Sequence, residues 1–470
     1  MTRRDFFKKM VLGTGLLFTG CENLFSVERG RERGRDRVLP IRSDNPAIRF
    51  NRSRCRRSCR GECIDFCSRT TGVHELPAPR GTDACVHCGQ CTLFCQWGAI
   101  TERFHYRDAA RAISDSGKIV VATTAPAIRV ALGEMYRLPP GTNVEGKIVG
   151  ALKHLGVDYV LDATFAADLT VMEEASELLQ RLESNGSQPL PMFTSCCPAW
   201  VRFVRLFYPH LLPNLSTVKS PLLMQGALVK TWFADKMGID PARIVNVALT
   251  PCTAKKGEIL LPGMNSSGFG RDVDIVLTTR EIAYLFNNGR VNFTQMPDLP
   301  FSPLMGAGSG AGMIFGNTGG VMEAALRTAY RLFNGENPPA KFFDLRQLRG
   351  FDNVRQANID FGKRKLSVAV VHGINKANSF IKALQNGAVK YDFVEVMGCG
   401  GGCIGGGGQP NTSNLDTAQL KQRRKNGLYQ RDIGSAIRLS YDNPQIKAIY
   451  TKFLGQPLSA KAKKLLHINH

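Results

Sequence analysis

From Lys118 onward, the chain alternates short apolar runs with longer stretches in which apolar residues recur at helical spacing. The apolar runs predict strands over Ile119–Thr124 and 159–164, and the amphipathic stretches predict helices over 142–155 and 169–182. Strands that alternate with helices are typical of the α/β class, in which helices cover the sheets. We therefore expect an α/β fold for this part of the chain.

The N-terminal segment has the pattern of an export signal. Arg3 and Arg4 precede a modest apolar stretch over residues 10–18, which is too short to cross a bilayer as an ordinary helix. This arrangement resembles a twin-arginine signal, so we expect residues 1–21 to direct export of the folded protein to the periplasm or the cell surface. The alternative is the basic start of a cytosolic chain.

Cys21 follows Leu17-Phe18-Thr19-Gly20, which resembles a lipoprotein box. Residues 1–46 contain no alanine, so an ordinary A-x-A cleavage site is missing. An acylated Cys21 would anchor the protein to a lipid surface. The alternative is that Cys21 is a passive residue of the signal.

The chain has 470 residues and a formal net charge of +22, which invites comparison with nucleic-acid-binding proteins. The charge is concentrated near the N-terminus, where residues 1–80 hold 18 Lys and Arg against 9 Asp and Glu, a net charge of +9. Residues 28–37 mix both charges with glycine and lack aromatic side chains that could stack on bases. We interpret residues 22–45 as a charged linker and expect no nucleic-acid partner.

Four cysteines in residues 85–95 have the spacing of a bacterial ferredoxin. In Cys85-x2-Cys88-x2-Cys91-x3-Cys95, three thiolates on one tight loop would hold three corners of a [4Fe-4S] cube, and the fourth usually reaches a second cluster. Disulfides are the alternative in an exported protein. Cysteines this close together satisfy a cube more readily than separate bridges.

A second group of four cysteines lies upstream with looser spacing. Because ligands are exchanged between the two clusters of such ferredoxins, we expect each cluster to take its last ligand from the other group. Residues 46–105 would then form a small α+β ferredoxin-like domain with two [4Fe-4S] clusters. The expected ligand sets are Cys55, Cys59 and Cys63 with Cys95, and Cys85, Cys88 and Cys91 with Cys67.

Three further cysteine motifs lie where a predicted strand gives way to a turn or a helix. Strand ends are where α/β folds gather their sites, and helix N-termini offer backbone N–H groups to an anionic cluster. Taken singly, each motif could equally contain a buried inert thiol or a zinc ligand. The motifs are residues 193–200 with Cys196 and Cys197, residues 249–256 with Cys252, and residues 395–403 with Cys399 and Cys403.

Together and in this order, the three motifs resemble those of the [FeFe]-hydrogenases. The resemblance extends through residues 125–134, 167–174 and 315–323 and the C-terminal tail, and it covers roughly residues 45–467. It implies a two-lobed catalytic domain over residues 106–410, with mixed or parallel sheets flanked by helices around a buried metal cluster. It also implies a helical, small-subunit-like tail over residues 411–470.

The resemblance implies a cofactor, the H-cluster, in which a [4Fe-4S] cube shares one cysteine with a two-iron subsite that carries carbon monoxide, cyanide and a bridging azadithiolate. Cys197, Cys252 and Cys399 would hold the cube together with Cys403, the expected bridge to the two-iron subsite. The residues expected to contact the cofactor are Ala125, Pro126, Arg181, Thr250, Phe315 and Met397.

The implied reaction is the reversible conversion of H2 into two protons and two electrons, which requires a base, a proton path and an electron path. The azadithiolate amine would be the base, and Lys255 would donate to a cyanide. Glu174 and Glu177 are i,i+3 and Arg181 is i+4 from Glu177, so they can share one helix face, although an ordinary solvated face has the same spacing. The expected proton path runs through Cys196, Glu174, Ser216 and Glu177 to the neighbourhood of Arg181.

Several residues depart from the family pattern near the expected cofactor. Thr250 replaces the usual methionine, and glutamines are frequent where Leu222 and Leu223 stand. Gly398 and Gly400 replace alanine and a bulkier residue or proline. No cluster ligand is lost, so we expect these changes to alter the reduction potential, the oxygen sensitivity or the catalytic bias.

A second hypothesis is a non-catalytic hydrogenase-like iron-sulfur protein, acting in cluster assembly or electron transfer, or a sensor of H2. Such relatives generally lose the residues equivalent to Cys196 and Lys255 or parts of the relay, so their retention here favours the enzyme. A third hypothesis, a reductase of an organic substrate, lacks support because no nucleotide or flavin fingerprint is evident.

The resemblance also implies partners. These are H2 and protons, a soluble electron carrier such as a ferredoxin or a cytochrome, the hydrogenase maturation proteins, and the twin-arginine translocase before export. The remaining positive charge suits an acidic carrier. We expect the protein to be a monomer.

Overall fold

The computed structural model describes residues 39, 41–56, 61–73, 76, 83–95, 97–184, 186–410 and 417–469. The predicted export signal, the lipoprotein box at Cys21, most of the charged linker, and Cys59 lie outside these residues. No helix within the described ranges is both long and apolar enough to cross a membrane.

Three sheets organise the described chain. The smallest pairs β1 (Ile48–Phe50) antiparallel with β2 (Ile100–Glu102) and so joins the two ends of the cysteine-rich N-terminal domain. The first large sheet consists, in spatial order, of β4 (Tyr159–Asp162), β3 (Ile119–Thr124), β6 (Ile244–Thr250) and β7 (Ile275–Thr278), all parallel. The second large sheet consists of β5 (Met192–Phe193), β10 (Phe393–Met397), β9 (Lys365–His372) and β8 (Val354–Asp360).

The second large sheet is mixed, because β8 runs antiparallel to β9 while the other pairs are parallel. Helices flank both large sheets, so the expected α/β fold is confirmed. In order, they are α1 (Glu62–Thr70), α2 (Tyr106–Ser114), α3 (Glu145–Leu155), α4 (Ala163–Glu183), α5 (Pro198–Phe207), α6 (Pro221–Leu228), α7 (Ala234–Met237), α8 (Lys255–Glu258), α9 (Thr279–Asn288), α10 (Gly310–Met313), α11 (Gly320–Asn334), α12 (Ile374–Gln385), α13 (Thr417–Ile433), α14 (Pro444–Ile449) and α15 (Ala460–Leu466).

The first large sheet is covered on both faces. In β3, Val120 and Ala122 pack into one hydrophobic cluster, and Val121 between them packs into another. Successive side chains of a strand point to opposite faces, so a strand buried on both sides is continuously apolar. This explains why β3 matches its predicted bounds.

Two predicted boundaries are wrong around α4. The strand predicted over 159–164 ends at Asp162, and the helix predicted over 169–182 already begins at Ala163. The Asp162 side chain accepts a hydrogen bond from the Thr164 backbone N–H and caps the helix. The first two turns of α4 are buried on all sides, and an apolar run without periodicity does not distinguish a strand from a helix.

The helix predicted over 142–155 also begins later, at Glu145. Thr142 instead closes a turn, in which both its backbone N–H and its hydroxyl donate to the carbonyl of Pro139. Gly141 in this turn has a φ of +85°, a conformation that interrupts a helix.

The last two helices of the C-terminal tail, α14 and α15, pack against α4. Ile446 and Ile449 of α14 and Leu465 and Leu466 of α15 share one hydrophobic cluster with Leu169 of α4. Between the two helices, the chain passes through a π-helical segment, Tyr450–Leu454. The tail therefore belongs to the same core as the helix that carries the predicted proton path.

Candidate metal centre

The three later cysteine motifs meet between the two large sheets. Cys197 follows β5 and is the N-cap residue that immediately precedes α5, and Cys252 follows β6. Cys399 and Cys403 follow β10, which lies beside β5 in the second sheet. Because the carboxyl ends of these strands face one another, motifs that are more than 200 residues apart in sequence line one cavity.

The cavity measures about 90 Å³, several times the roughly 10–15 Å³ that one water requires. Its wall holds all four predicted cube ligands together with Cys196 and Lys255. The predicted cofactor contacts on the wall are Ala125, Pro126, Thr250, Phe315 and Met397. The structure thus brings together the residues that the sequence singled out on the basis of resemblance.

Arg181 is an exception and corrects the prediction that it contacts the cofactor. It does not line the cavity; it lies on α4 beside Glu177, with carbonyls of the 213–215 segment as further partners. Of the residues that depart from the family pattern, Thr250 and Leu222 line the cavity, whereas Leu223 does not. Leu223 is instead fully buried in a separate apolar cluster.

The cysteines at the cavity fit an iron-sulfur cluster. All four thiols are free of disulfides, and backbone and side-chain N–H groups point at two of the sulfurs: Gly398 N donates to Cys197 Sγ at 3.2 Å and Gln90 Nε2 to Cys399 Sγ at 3.4 Å. Such donors stabilise thiolate ligands and tune a cluster's potential. Gly402 has a φ of +84°, and a Cβ there would lie 2.6 Å from Thr318 N, so the ligand loop requires glycine.

Burial raises the pKa of the four thiols, to about 11 for Cys399 and about 12 for Cys403. Without a positive charge at the centre of the cavity, these groups would keep their protons, and bound iron would reverse that balance. The thiols surround a space instead of converging on a point. No three His, Cys, Asp or Glu side chains in the described part of the chain are placed to hold a single metal ion.

Lys255 is a buried cation on the cavity wall. Its Nζ lies 2.7 Å from Glu258 Oε2 and 3.3 Å from the Cys196 carbonyl oxygen. Burial alone would lower the Lys255 pKa, but the negative charge of Glu258 raises it above its usual value. The side chain therefore stays charged and suits the binding of an anionic group in the cavity.

Glu174, Glu177 and Arg181 on α4 are buried, as is Ser216, so the alternative of a solvated helix face is wrong. Cys196 is partly buried. Ser216 Oγ donates to Glu177 Oε2 at 2.8 Å, and Arg181 Nη2 lies 2.7 Å from Glu177 Oε1. Burial raises the pKa of Glu174 to about 8; the charges of Glu177 and Glu395 act in the same direction, and the Ser216 hydroxyl opposes them. Glu174 also contributes to raising the Cys196 pKa, which follows from their proximity.

Four of the N-terminal cysteines lie together as the predicted ligand exchange requires for one cluster. Cys67 lies with Cys85, Cys88 and Cys91 around a second small cavity. Cys63 and Cys95 contact a neighbouring small core, Cys55 is exposed, and Cys59 falls outside the described residues. The second ligand set is therefore only partly described.

Cys88 lines both the N-terminal cavity and the central one. Two hydrogen bonds hold the domains together at this point: Gln90 Nε2 donates to Gly405 O and Thr253 Oγ1 donates to His87 O, each at 2.7 Å. A cluster on Cys88 would thus be adjacent to the central cofactor.

Sequence reasoning missed three residues at these sites. Gln90 lies inside the ferredoxin motif, where only the cysteines drew attention. Lys421 on α13 lies against the glycine turn after Cys399; a Cβ on Gly400 would be 3.4 Å from its Nζ. His467 near the C-terminus contacts α4. A search of the tail for charged residues and histidines would have found Lys421 and His467, but it would not have shown what they contact.

Comparison with known proteins bears on the family. Residues 118–407 match the family described as iron only hydrogenase large subunit, C-terminal domain, and residues 418–470 match iron hydrogenase small subunit. The chain is 42% identical over 431 residues to the NADP-reducing hydrogenase subunit HndD of Solidesulfovibrio fructosivorans, which covers 88% of this chain and 72% of that protein. It is 30% identical over 404 residues to cytosolic iron-sulfur assembly component 3 of Mus musculus, 82% of each.

A solved structure agrees with these matches. The [FeFe]-hydrogenase HydA(deltaEFG), whose structure revealed stepwise H-cluster assembly, is similar with a TM-score of 0.69 and 38% sequence identity, covering 78% of this chain and 99% of that one. The family matches, the identity to HndD and the shared fold agree with the cysteine-lined cavity described above. The chain therefore belongs to the iron-only hydrogenase, or [FeFe]-hydrogenase, family.

Proposed function

We propose that the protein is an active hydrogenase that catalyses H2 ⇌ 2 H⁺ + 2 e⁻ at an H-cluster in the central cavity. The observation that carries the proposal is that Cys196 and Lys255 face the same cavity as the four ligand cysteines, and that Glu174, Ser216 and Glu177 are buried close to one another, with the Ser216 hydroxyl donating to Glu177. A protein that only holds or transfers a cluster has no need for a buried proton path.

The H-cluster, when bound, supplies the two-electron redox chemistry of the reaction. Cys197, Cys252, Cys399 and Cys403 would hold its cube, and Lys255 would hold its anionic subsite by a charge-assisted contact. The apolar wall formed by Pro126, Phe315 and Met397 would exclude bulk water.

The proton path is formed by residues of this chain. Cys196 would exchange protons between the cofactor and the interior, and Glu174 holds a proton at neutral pH because burial raises its pKa to about 8. Ser216 lies next, where its hydroxyl can accept a proton on one side and donate to Glu177 on the other. Arg181 fixes Glu177 by an ion pair in which its Nε and Nη2 both donate to Oε1 of Glu177.

Electrons released in H2 oxidation would leave by the N-terminal domain. Because Cys88 lines both cavities, a cluster bound by Cys67, Cys85, Cys88 and Cys91 would be the first acceptor. A second cluster on Cys55, Cys59, Cys63 and Cys95 would pass electrons to a soluble carrier. The net charge of the chain favours an acidic carrier.

The alternative function is cluster assembly, as the name of the Mus musculus relative describes for that protein. It predicts [4Fe-4S] cubes without a two-iron subsite and without turnover. The presence of Cys196 and Lys255 at the cavity, together with the buried relay residues, favours the enzyme.

We also propose a route to the site of action. The twin-arginine signal would export the protein folded and loaded with its clusters, after the maturation proteins have acted. Cys21 would attach it to a lipid surface, and the protein would work as a monomer.

The experiment compares hydrogen turnover of wild type, Cys196→Ala and Ser176→Ala after co-expression with hydrogenase maturation proteins. Removing a proton carrier should lower turnover by about 10²- to 10⁴-fold in Cys196→Ala at unchanged iron content. Ser176→Ala is the matched control, because Ser176 is on α4 but bonds only its own helix carbonyl at Met172. Unchanged turnover in Cys196→Ala would remove Cys196 from the path, and a loaded wild type without turnover would favour cluster assembly.

A further inference from the structure

The C-terminal segment places a histidine beside the outer end of the proposed proton path. The Lys219 backbone N–H donates to Leu466 O at 2.8 Å, and the Ile468 N–H donates to Thr217 O at 2.7 Å. These two bonds pair the end of the tail antiparallel with residues 217–219. The pairing holds the His467 side chain next to Thr217.

His467 uses both ring nitrogens. Nε2 lies 3.0 Å from Glu173 Oε2, and Nδ1 lies 2.8 Å from Thr217 Oγ1. Glu173 is fully buried and also accepts hydrogen bonds from the Tyr450 hydroxyl at 2.6 Å and from the Leu458 N–H at 2.8 Å. A carboxylate with these donors is an acceptor, so Nε2 of His467 must carry the proton.

Thr217 connects this cluster to Glu177. Its backbone N–H donates to Glu177 Oε2 at 3.1 Å, and its hydroxyl lies 3.3 Å from the same oxygen. The hydroxyl has one proton and therefore donates either to Glu177 or to His467, but not to both.

The charge of His467 decides between these two arrangements. When His467 is an imidazolium, Nδ1 is a donor, so the Thr217 hydroxyl accepts from it and donates its own proton to Glu177. When His467 is neutral, Nδ1 is an acceptor, so the hydroxyl turns toward it and leaves Glu177 with one donor fewer.

A surface cleft gives water access to this group. Glu177, Arg181, Thr217 and His467 line the cleft, which extends to the exposed Lys463. The charged and titratable groups around His467 come from three elements: Glu173, Glu177 and Arg181 from α4, Tyr450 from the π-helical segment, and Lys463 from α15. Arg181 is paired with Glu177, which leaves Glu173 as the direct charge partner of the ring.

We infer that His467 is a positioning residue through which the C-terminal tail sets the hydrogen bonding of Glu177, by way of the Thr217 hydroxyl, in response to pH. This inference rests on the proposed function in that Glu177 ends the proton path. Charged His467 favours the Glu177 carboxylate that receives protons during H2 oxidation, whereas neutral His467 withdraws this support.

The test compares H2 oxidation of wild type and His467→Gln between pH 5.5 and 8. Glutamine offers one donor and one acceptor and so mimics the neutral ring. We expect the ratio of variant to wild-type rates to fall by about tenfold as the pH is lowered across this range, a coupling of ordinary size between linked sites. The same ratio of variant to wild-type rates at every pH would overturn the inference and leave His467 a structural role only.

Two further variants separate coupling from stability. Thr217→Val should slow H2 oxidation, and adding His467→Gln to it should change the pH profile no further, because the connecting hydroxyl is already gone. Ser459→Ala removes the cap of α15, which takes no part in these hydrogen bonds, and should lower Tm without changing the pH profile. An additive effect of the His467 and Thr217 changes would contradict the inference.

Infrared difference spectra between pH 5.5 and 8 give a readout without turnover. The carboxylate band that Glu177→Gln removes should shift with pH in wild type and stay fixed in His467→Gln. A band that shifts equally in both would overturn the inference. If the carboxylate band shifts in wild type but not in His467→Gln, the coupling is supported. If the cluster-loaded protein in which this is seen shows no turnover, the proposed function is contradicted.

Discussion

Glu174 holds a proton at neutral pH because the fold buries it near two other carboxylates. Burial raises its pKa to about 8, with the charges of Glu177 and Glu395 adding to the rise. The sequence indicated only that Glu174 and Glu177 share a helix face. It could not show that this face is buried, because the covering residues come from the loop before α6 and from the tail.

The raised pKa predicts a pH-dependent effect on stability. A carboxyl with a folded-state pKa above its unfolded value of about 4.3 contributes its full stability below that pH and loses it as the pH rises toward 8. Relative to wild type, Glu174→Gln should therefore gain about 3 kcal/mol in the free energy of unfolding between pH 5 and 8. Denaturant unfolding at both pH values measures this.

Glu183→Gln is the matched control, because Glu183 ends the same helix but is exposed. It should show no such gain. A difference between Glu174→Gln and wild type that does not vary with pH would contradict the assigned protonation state, even if turnover is lost.

Lys421 explains one departure from the family pattern. Its ammonium approaches the turn at Gly400, where a larger side chain would compete for the space. A positive charge near the Cys399 ligand raises the reduction potential of a bound cube, because reduction adds negative charge. Lys421→Met should therefore shift the potential of the cube to a more negative value in a redox titration followed by electron paramagnetic resonance.

Lys425→Met is the comparison variant for this prediction. Lys425 lies one turn along α13 and packs over the Phe351 ring, 4.8 Å from its centroid. It should change the potential less than Lys421→Met. Equal shifts in both variants would mean that overall charge, and not the position of Lys421, sets the potential.

At the scale of elements, the hydrophobic pattern predicted whether a segment is a helix or a strand more accurately than it predicted where the segment begins and ends. The strand Ile119–Thr124 matched because both of its faces are covered and its residues are continuously apolar. The junction at Asp162 was misplaced because one carboxylate performs two tasks there: it caps α4 and pairs with the buried Arg129, 2.5 Å away. The second task depends on tertiary structure, which a local pattern does not contain.

The N-terminal domain offers a test of the ligand exchange. Cys67 is on α1, yet it lines the cavity formed by the Cys85, Cys88 and Cys91 loop. Cys67→Ser should therefore perturb the cluster nearest the central cavity, with altered spin coupling in electron paramagnetic resonance and a lower iron content. Cys21→Ser should leave the iron content unchanged. If Cys67→Ser alters only the cluster remote from the central cavity, the predicted exchange is wrong.

At the scale of the whole molecule, the site is assembled from distant parts of the chain. The resemblance of the cysteine motifs was sufficient to single out the four predicted ligands and Cys196, which the structure places at one cavity, because the spacing and order of the motifs are specific. It was not sufficient for His467, which reaches Glu173 across 294 residues of sequence. That contact exists only because the tail shares a hydrophobic core with α4.

Membership of the family does not by itself distinguish a hydrogenase from a cluster-assembly protein. Relatives include both hydrogenase subunits and cluster-assembly components. Both kinds would hold cubes on cysteines, so counting iron and sulfide does not separate them. The discriminating feature is the two-iron subsite, whose carbon monoxide and cyanide ligands absorb in a region of the infrared spectrum where proteins do not.

The infrared spectrum of the protein, purified after co-expression with hydrogenase maturation proteins, therefore tests the central claim most directly. We expect carbon monoxide and cyanide bands that shift when H2 is added, together with H2-dependent reduction of a dye. A protein loaded with [4Fe-4S] clusters that shows neither the bands nor turnover would contradict the hydrogenase assignment and favour a role in cluster assembly.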